Sequence, residues 1–157
     1  HVVAHTLAGR VRRRQALARA QQVEPHIQAI RAGRQALDEN LALVEDDPES
    51  AVLLQDYLGL RGLDVTLFDT AEDFLEVAAD GFEGVILDMR LPGMSGDVCG
   101  ETLRRSGYQG PLVGITGNIE DWDEDSLRAL GFNAVLAKPF DPKELVACLQ
   151  RELARGP

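Results

Sequence analysis

Cysteine is scarce in this chain: Cys99 and Cys148 are its only two in 157 residues. They are widely spaced and fall in helix-like stretches, so a reduced protein with two incidental thiols is expected rather than a disulfide framework. Histidine is confined to His1, His5 and His26. No apolar run approaches the roughly 20 residues of a membrane span. No apolar stretch follows a basic start, so no signal peptide is read. There is no internal repeat or low-complexity tract. A cytoplasmic protein is the expectation. Because the chain opens on His1 rather than Met, a fragment or processed product is expected. No stretch is left after the last expected helix for an output domain.

Positive charge is also missing from most of the chain. Residues 1–38 hold seven arginines against Glu24 and Asp38, a balance of +5, while the rest stands at −15. Phosphate contacts need a basic surface, so the acidic body is not expected to bind nucleic acid. Such asymmetry suggests two elements: a helical N-terminal extension or linker over 1–39 and a domain over 40–157. Within 6–38, Ala, Arg, Gln and Leu favour helix, and Pro25 divides or kinks it. Leu7, Val11, Leu17, Val23, Ile27, Ile30 and Leu37 give a patchy apolar stripe.

From residue 41 the pattern becomes a strand–helix alternation. Strands are expected at 41–45, 63–67, 84–88, 111–116 and 133–137. Helices are expected at 48–61, 71–80, 95–106, 119–130 and 142–154. Asp47-Pro48 and Asp141-Pro142 place an acid cap before proline at the first helical position, and Thr70 with Asp73 marks a third start. Apolar runs without clean alternation suit strands covered on both faces. The order βαβαβαβαβα implies an α/β fold with a parallel sheet and right-handed crossovers.

Polar residues follow these runs at corresponding points. Glu45-Asp46-Asp47 follows Leu41–Val44, Asp88 ends Val85–Leu87, Thr116 follows Leu112–Ile115, and Lys138-Pro139 follows Ala134–Ala137. Taken singly, each is an ordinary strand end, turn or helix cap, and Asp47 reads as a cap. Together they converge on one edge of a parallel sheet, where open α/β folds bind ligands. Glu45, Asp46 and Asp88 form a set suited to Mg²⁺, which takes one or two carboxylates plus water and phosphate oxygens. An ionised Asp88 can act as a nucleophile toward phosphorus. Lys138 would add positive charge, the Thr116 hydroxyl would hydrogen-bond a phosphoryl oxygen, and Gly117 would leave room for the group.

The pieces LALVEDDP, VILDMRLPGMSG, LVGITGN and NAVLAKPF, within 41–154, resemble the receiver domain of two-component response regulators. The resemblance implies a flavodoxin-like, doubly wound five-stranded parallel sheet of order 2-1-3-4-5. It implies Asp88 as phosphoacceptor and Mg²⁺ held by Glu45, Asp46, Asp88 and the Arg90 backbone carbonyl. Thr116 falls on the switch hydroxyl and Lys138 on the phosphate-pairing lysine, followed by a commonly cis peptide at Pro139. Where the family often carries an aromatic switch ring, this chain has Val135, so a ring-flip readout is not expected. Arg90 and Asn118, two residues beyond Asp88 and Thr116, flank the path of an attacking water.

The body has no histidine, so the donor is expected to be a histidine kinase or a histidine phosphotransfer protein. Both a single-domain regulator and the terminal receiver of a hybrid histidine kinase fit. Ala4–Gly9 faintly resembles a phosphotransfer His-x-Leu-Lys-Gly stretch, but Ala8 replaces the lysine, and a linker or dimerisation arm is the reading. A homodimer through residues 6–38 is the expected use of that arm, with docking onto the acidic body as the other candidate. A Mg²⁺-dependent phosphohydrolase with Asp88 as nucleophile is an alternative, although Arg90 stands where such enzymes carry a second acid. A phosphorylation-independent interaction module is the other.

Overall fold

The computed structural model describes residues 39–77 and 79–155. The expectations for 6–38, a kinked or divided helix and a pairing arm, lie outside the described residues. Five parallel strands are present: β1 Glu39–Val44, β2 Leu63–Phe68, β3 Gly84–Asp88, β4 Leu112–Thr116 and β5 Ala134–Ala137. Their order is β2-β1-β3-β4-β5. The helices are α1 Pro48–Gly59, α2 Ala71–Leu75, α3 Gly96–Arg105, α4 Glu124–Ala129 and α5 Pro142–Arg155. The α/β fold and the doubly wound 2-1-3-4-5 sheet agree with the sequence reading.

Side chains alternate through β1 and divide the core into two layers. Ala42 and Val44 join Phe68, Phe74, Val85, Leu87, Leu103, Leu127 and Phe132 on the face covered by α2, α3 and α4. Leu41 and Leu43 join Leu58, Ile86, Ile115, Leu145 and Leu149 under α1 and α5. Both faces of the central strands are therefore dry, as parallel strands require. Phe68, Phe74 and Phe82 meet edge-on or tilted with centroids 5.0–6.2 Å apart, worth about 0.5–1.5 kcal/mol per pair beyond burial. Both thiols are buried, and burial pushes Cys99 up to about 12; neither is a reactive thiolate.

Helix starts follow the expected caps. Asp47 accepts from Ser50 N–H, Thr70 from Asp73 N–H and Asp141 from Lys143 N–H. Two helices are shorter than their sequence patterns. The stretch expected over 71–80 ends at Leu75. Val77 N–H bonds to Phe74 O at 3.0 Å, an i→i+3 closure that tightens the turn and buries Val77. A separate 3₁₀ turn then covers Ala79–Gly81. The stretch expected over 119–130 is split. Ile119–Asp121 is a 3₁₀ turn closed by Trp122 N–H onto Ile119 O. Asp123 then starts α4 afresh, accepting from Asp125 N–H and Ser126 Oγ.

Candidate phosphoryl-acceptor site

The strand order brings the chemistry together. β3 lies between β1 and β4, and β5 lies beyond β4. Glu45 follows β1, Asp88 ends β3, Thr116 ends β4 and Lys138 follows β5. All four reach the carboxyl edge of the sheet, beside the switch point between β1 and β3 where doubly wound folds bind ligands.

Asp88 is 5% exposed and Glu45 3%. Lys138 Nζ donates to Asp88 Oδ2 at 2.9 Å and to Glu45 Oε2 at 3.2 Å. Arg90 N–H donates to Asp88 Oδ1 at 2.9 Å, and Asp47 N–H donates to Glu45 Oε1 at 3.1 Å. Burial pushes the Glu45 carboxyl up to about 7; the Asp47 hydrogen bond opposes this and Asp88 adds to it. Burial alone would lower Lys138, but the hydrogen bond and charge of Asp88, then those of Glu45, leave it above its ordinary value. One ammonium thus compensates two buried carboxylates. Asp46 is exposed beside them, and one oxygen from each of Glu45, Asp46 and Asp88 lies within 4.8 Å of the others. All are hard oxygen donors that fit Mg²⁺.

Thr116 is 4% exposed, and its Oγ accepts from Asn118 N–H at 3.1 Å. That uses one acceptor position and leaves the O–H as a donor. Lys138 N–H closes onto Thr116 O at 2.6 Å, tying the ends of β4 and β5. The Lys138–Pro139 peptide is cis. A methyl group added at Gly117 would meet nothing within 4 Å, so there is open space beside Thr116. Val135, in β5, lies in the wall of a cavity of about 700 Å³ shared with Ile119, Trp122, Leu127 and Phe132.

Other parts of the site are not legible in the sequence. With its amide oxygen turned to the guanidinium, Asn118 accepts from Arg90 Nη2 at 2.6 Å and Nη1 at 3.2 Å; the orientation is assigned from these bonds. Arg90 also lies 3.9 Å from Asp121. The loops after β3 and β4 are therefore joined across the mouth of the cleft. Glu72, at the start of α2, accepts from Met94 N–H at 2.7 Å and holds the loop that follows Asp88. That loop turns at Gly93, whose φ of +76° suits glycine. Gly96 opens α3 against the Asp88 backbone: a β-carbon there would stand 2.2 Å from Asp88 O.

Residues 41–150 match the family model for the response regulator receiver domain. The transcriptional regulatory protein PcoR of Escherichia coli is 33% identical over 119 residues, covering 75% of this chain and 53% of PcoR. YkoG of Bacillus subtilis, an uncharacterised transcriptional regulatory protein, is 32% identical over 118 residues, covering 74% of this chain and 52% of its own length. The chain spans about half the length of these curated relatives. The BeF₃-activated N-terminal receiver domain of Klebsiella pneumoniae RstA superposes with a TM-score of 0.64 at 32% identity, over 73% of this chain and 98% of that domain. The receiver domain of the sensor histidine kinase PA1611 from Pseudomonas aeruginosa, solved with magnesium in its active-site cleft, gives a TM-score of 0.65 at 28% identity, over 74% and 98%. With this sheet order, this acidic cleft and a family match over most of its length, the chain belongs to the response regulator receiver domains of two-component signalling systems.

Proposed function

We propose that this chain is a phosphorylation-dependent signalling receiver that takes a phosphoryl group onto Asp88. The observation that carries the reading is the Lys138 ammonium, bonded at once to Asp88 and Glu45 in a buried cleft. The donor is a histidine kinase or a histidine phosphotransfer protein. A carboxylate oxygen of Asp88 attacks phosphorus, the P–N bond to the donor imidazole breaks, and the imidazole leaves with the bonding pair and takes up a proton. Glu45, Asp46, Asp88 and the Arg90 carbonyl would hold Mg²⁺, which supplies charge neutralisation for the transferring group. Lys138 pairs with a phosphoryl oxygen, the Thr116 O–H donates to another, and Gly117 leaves space for both contacts. The setting is a two-component signalling pathway, as a response regulator or as a receiver joined to a hybrid histidine kinase, acting in the cytoplasm. Among the described residues, no helix is long and apolar enough to cross a membrane.

The test uses acetyl phosphate as donor. In Mg²⁺ the intact mass should gain one phosphoryl adduct, and EDTA should abolish it. Failure to form an adduct at saturating donor and Mg²⁺ overturns the reading.

Arg90 and Asn118 govern the lifetime of the adduct. Their mutual bond spans the mouth of the cleft, where water must enter to attack phosphorus and release phosphate. Arg90→Ala and Asn118→Ala should each speed hydrolysis by on the order of tenfold, ~1.4 kcal/mol of barrier, with less change in the rate of phosphorylation. Decay curves of the adduct followed by mass measure this. Identical curves for all three proteins would remove both residues from the mechanism.

A further inference from the structure

Among the described residues, the exposed large hydrophobics are Val52, Leu53, Leu60, Val98 and Ile119. Three of the five belong to α1 and the residue that ends it. Val52 is 46% exposed, Leu53 70% and Leu60 85%. Leu60 keeps helical backbone angles as the C-cap, so Leu53 and Leu60 stand seven residues apart on one face. The exposed Glu49 and Asp56 share that side of the helix, and the last turn of α1 carries no basic residue. The nearest cation, Arg61, is engaged with the Tyr57 hydroxyl and ring. α1 therefore presents an apolar stripe edged with acid.

Residues 1–38 have the complementary character. Leu7, Val11, Leu17, Ile27, Ile30 and Leu37 are interspersed with seven arginines. Their point of entry is also favourable. Glu39, where β1 begins, pairs with Leu63 of β2, three residues beyond Leu60. The arm thus reaches the domain next to the foot of the stripe.

We propose that residues 6–38 fold back onto α1 of their own chain, laying Ile27, Ile30 and Leu37 on Val52, Leu53 and Leu60 and setting Arg31 and Arg34 against Glu49 and Asp56. The sequence alone favours a pair of arms from two copies. The exposed α1 face offers the arm an acceptor that no sequence pattern reveals, and it makes the association independent of a second molecule. Exposed ion pairs contribute little each, so the apolar contacts carry the docking and the charges select its orientation.

Trypsin tests this on the full chain, because the arm's arginines are its cleavage sites. Cleavage after Arg31 and Arg34 is followed by mass in wild type, in the double variant Leu53→Asp/Leu60→Asp, and in Val98→Asp as a control on α3. All altered positions are on the surface, so the fold is retained, which the thermal midpoint checks. When opening is fast, proteolysis tracks the open population, and the double variant should be cut about tenfold faster than wild type. Val98→Asp should match wild type, and the rates should not depend on protein concentration. Equal cleavage of wild type and the double variant overturns the proposal. So does protection that grows with protein concentration, which would mean pairing between copies.

Discussion

Asp88→Asn should give no phosphoryl adduct under conditions that modify the wild-type chain completely. The amide has no anionic oxygen to attack phosphorus. It is nearly the same size, and its Oδ1 can still accept the Arg90 N–H that Asp88 Oδ1 accepts at 2.9 Å. The fold should therefore persist, with an unchanged far-ultraviolet dichroism spectrum. Lys138 would lose one of its two carboxylate partners and keep Glu45 at 3.2 Å. Mg²⁺ binding should weaken as well, since one of three clustered oxygen donors becomes neutral. An adduct that survives Asp88→Asn at wild-type yield sinks the assignment of the nucleophile. Loss of the adduct together with loss of the spectrum would mean that folding rather than chemistry had failed, and Asp88→Ala would then separate the two.

Gly96→Ala should destabilise the fold strongly although it adds a single methyl group. A β-carbon at this position stands 2.2 Å from Asp88 O and 2.8 Å from Met89 Cα. Both are backbone atoms, so no side-chain rotation relieves the contact. Either α3 lifts from the sheet or the end of β3 shifts. Overpacking of this kind costs about 3 kcal/mol, which should lower Tm by roughly 10 °C in a domain of this size. Because the displaced atoms belong to Asp88 itself, the surviving folded protein should also accept phosphate more slowly. Gly117→Ala makes the control: its added methyl group has nothing within 4 Å, and its Tm should stay at the wild-type value. Equal midpoints for Gly96→Ala and wild type would show that α3 accommodates the methyl group freely.

The alternation of elements is legible in the sequence because each strand is a short apolar run and most helices carry an acid or hydroxyl at their start. Glu45, Asp88, Thr116 and Lys138 could be placed for the same reason: all sit at strand ends, and strand ends are visible as breaks in hydropathy. What escapes is made by side chains meeting across the chain. Glu72 reaches Met94 over 22 residues. Arg104 ties Tyr108 O, Gly131 O and Asn133 Oδ1 into one fastening between α3 and the approach to β5. The Arg90–Asn118 link joins two loops. Periodicity carries no information on such pairs. The division of 119–130 at Trp122 rests on Asp123, which accepts from Asp125 N–H and Ser126 Oγ, and the unbroken polar stretch around it carries no periodicity that marks the break. Gly96 was visible as a letter in VILDMRLPGMSG without its reason, which is a contact with the backbone of another element.

β1 runs six residues from Glu39 to Val44, a span of roughly 20 Å at the usual strand rise. The arm joins at one end and the acidic cluster begins just past the other. The tether and the reactive cleft are thus at opposite poles of the sheet. An arm laid back along α1, as proposed above, would run from Leu60 near that entry point to Glu49, three residues past Asp46, so the docked arm and an approaching donor histidine would draw on neighbouring surface. Releasing the arm would then alter how often the cleft meets a donor without altering what happens once they meet.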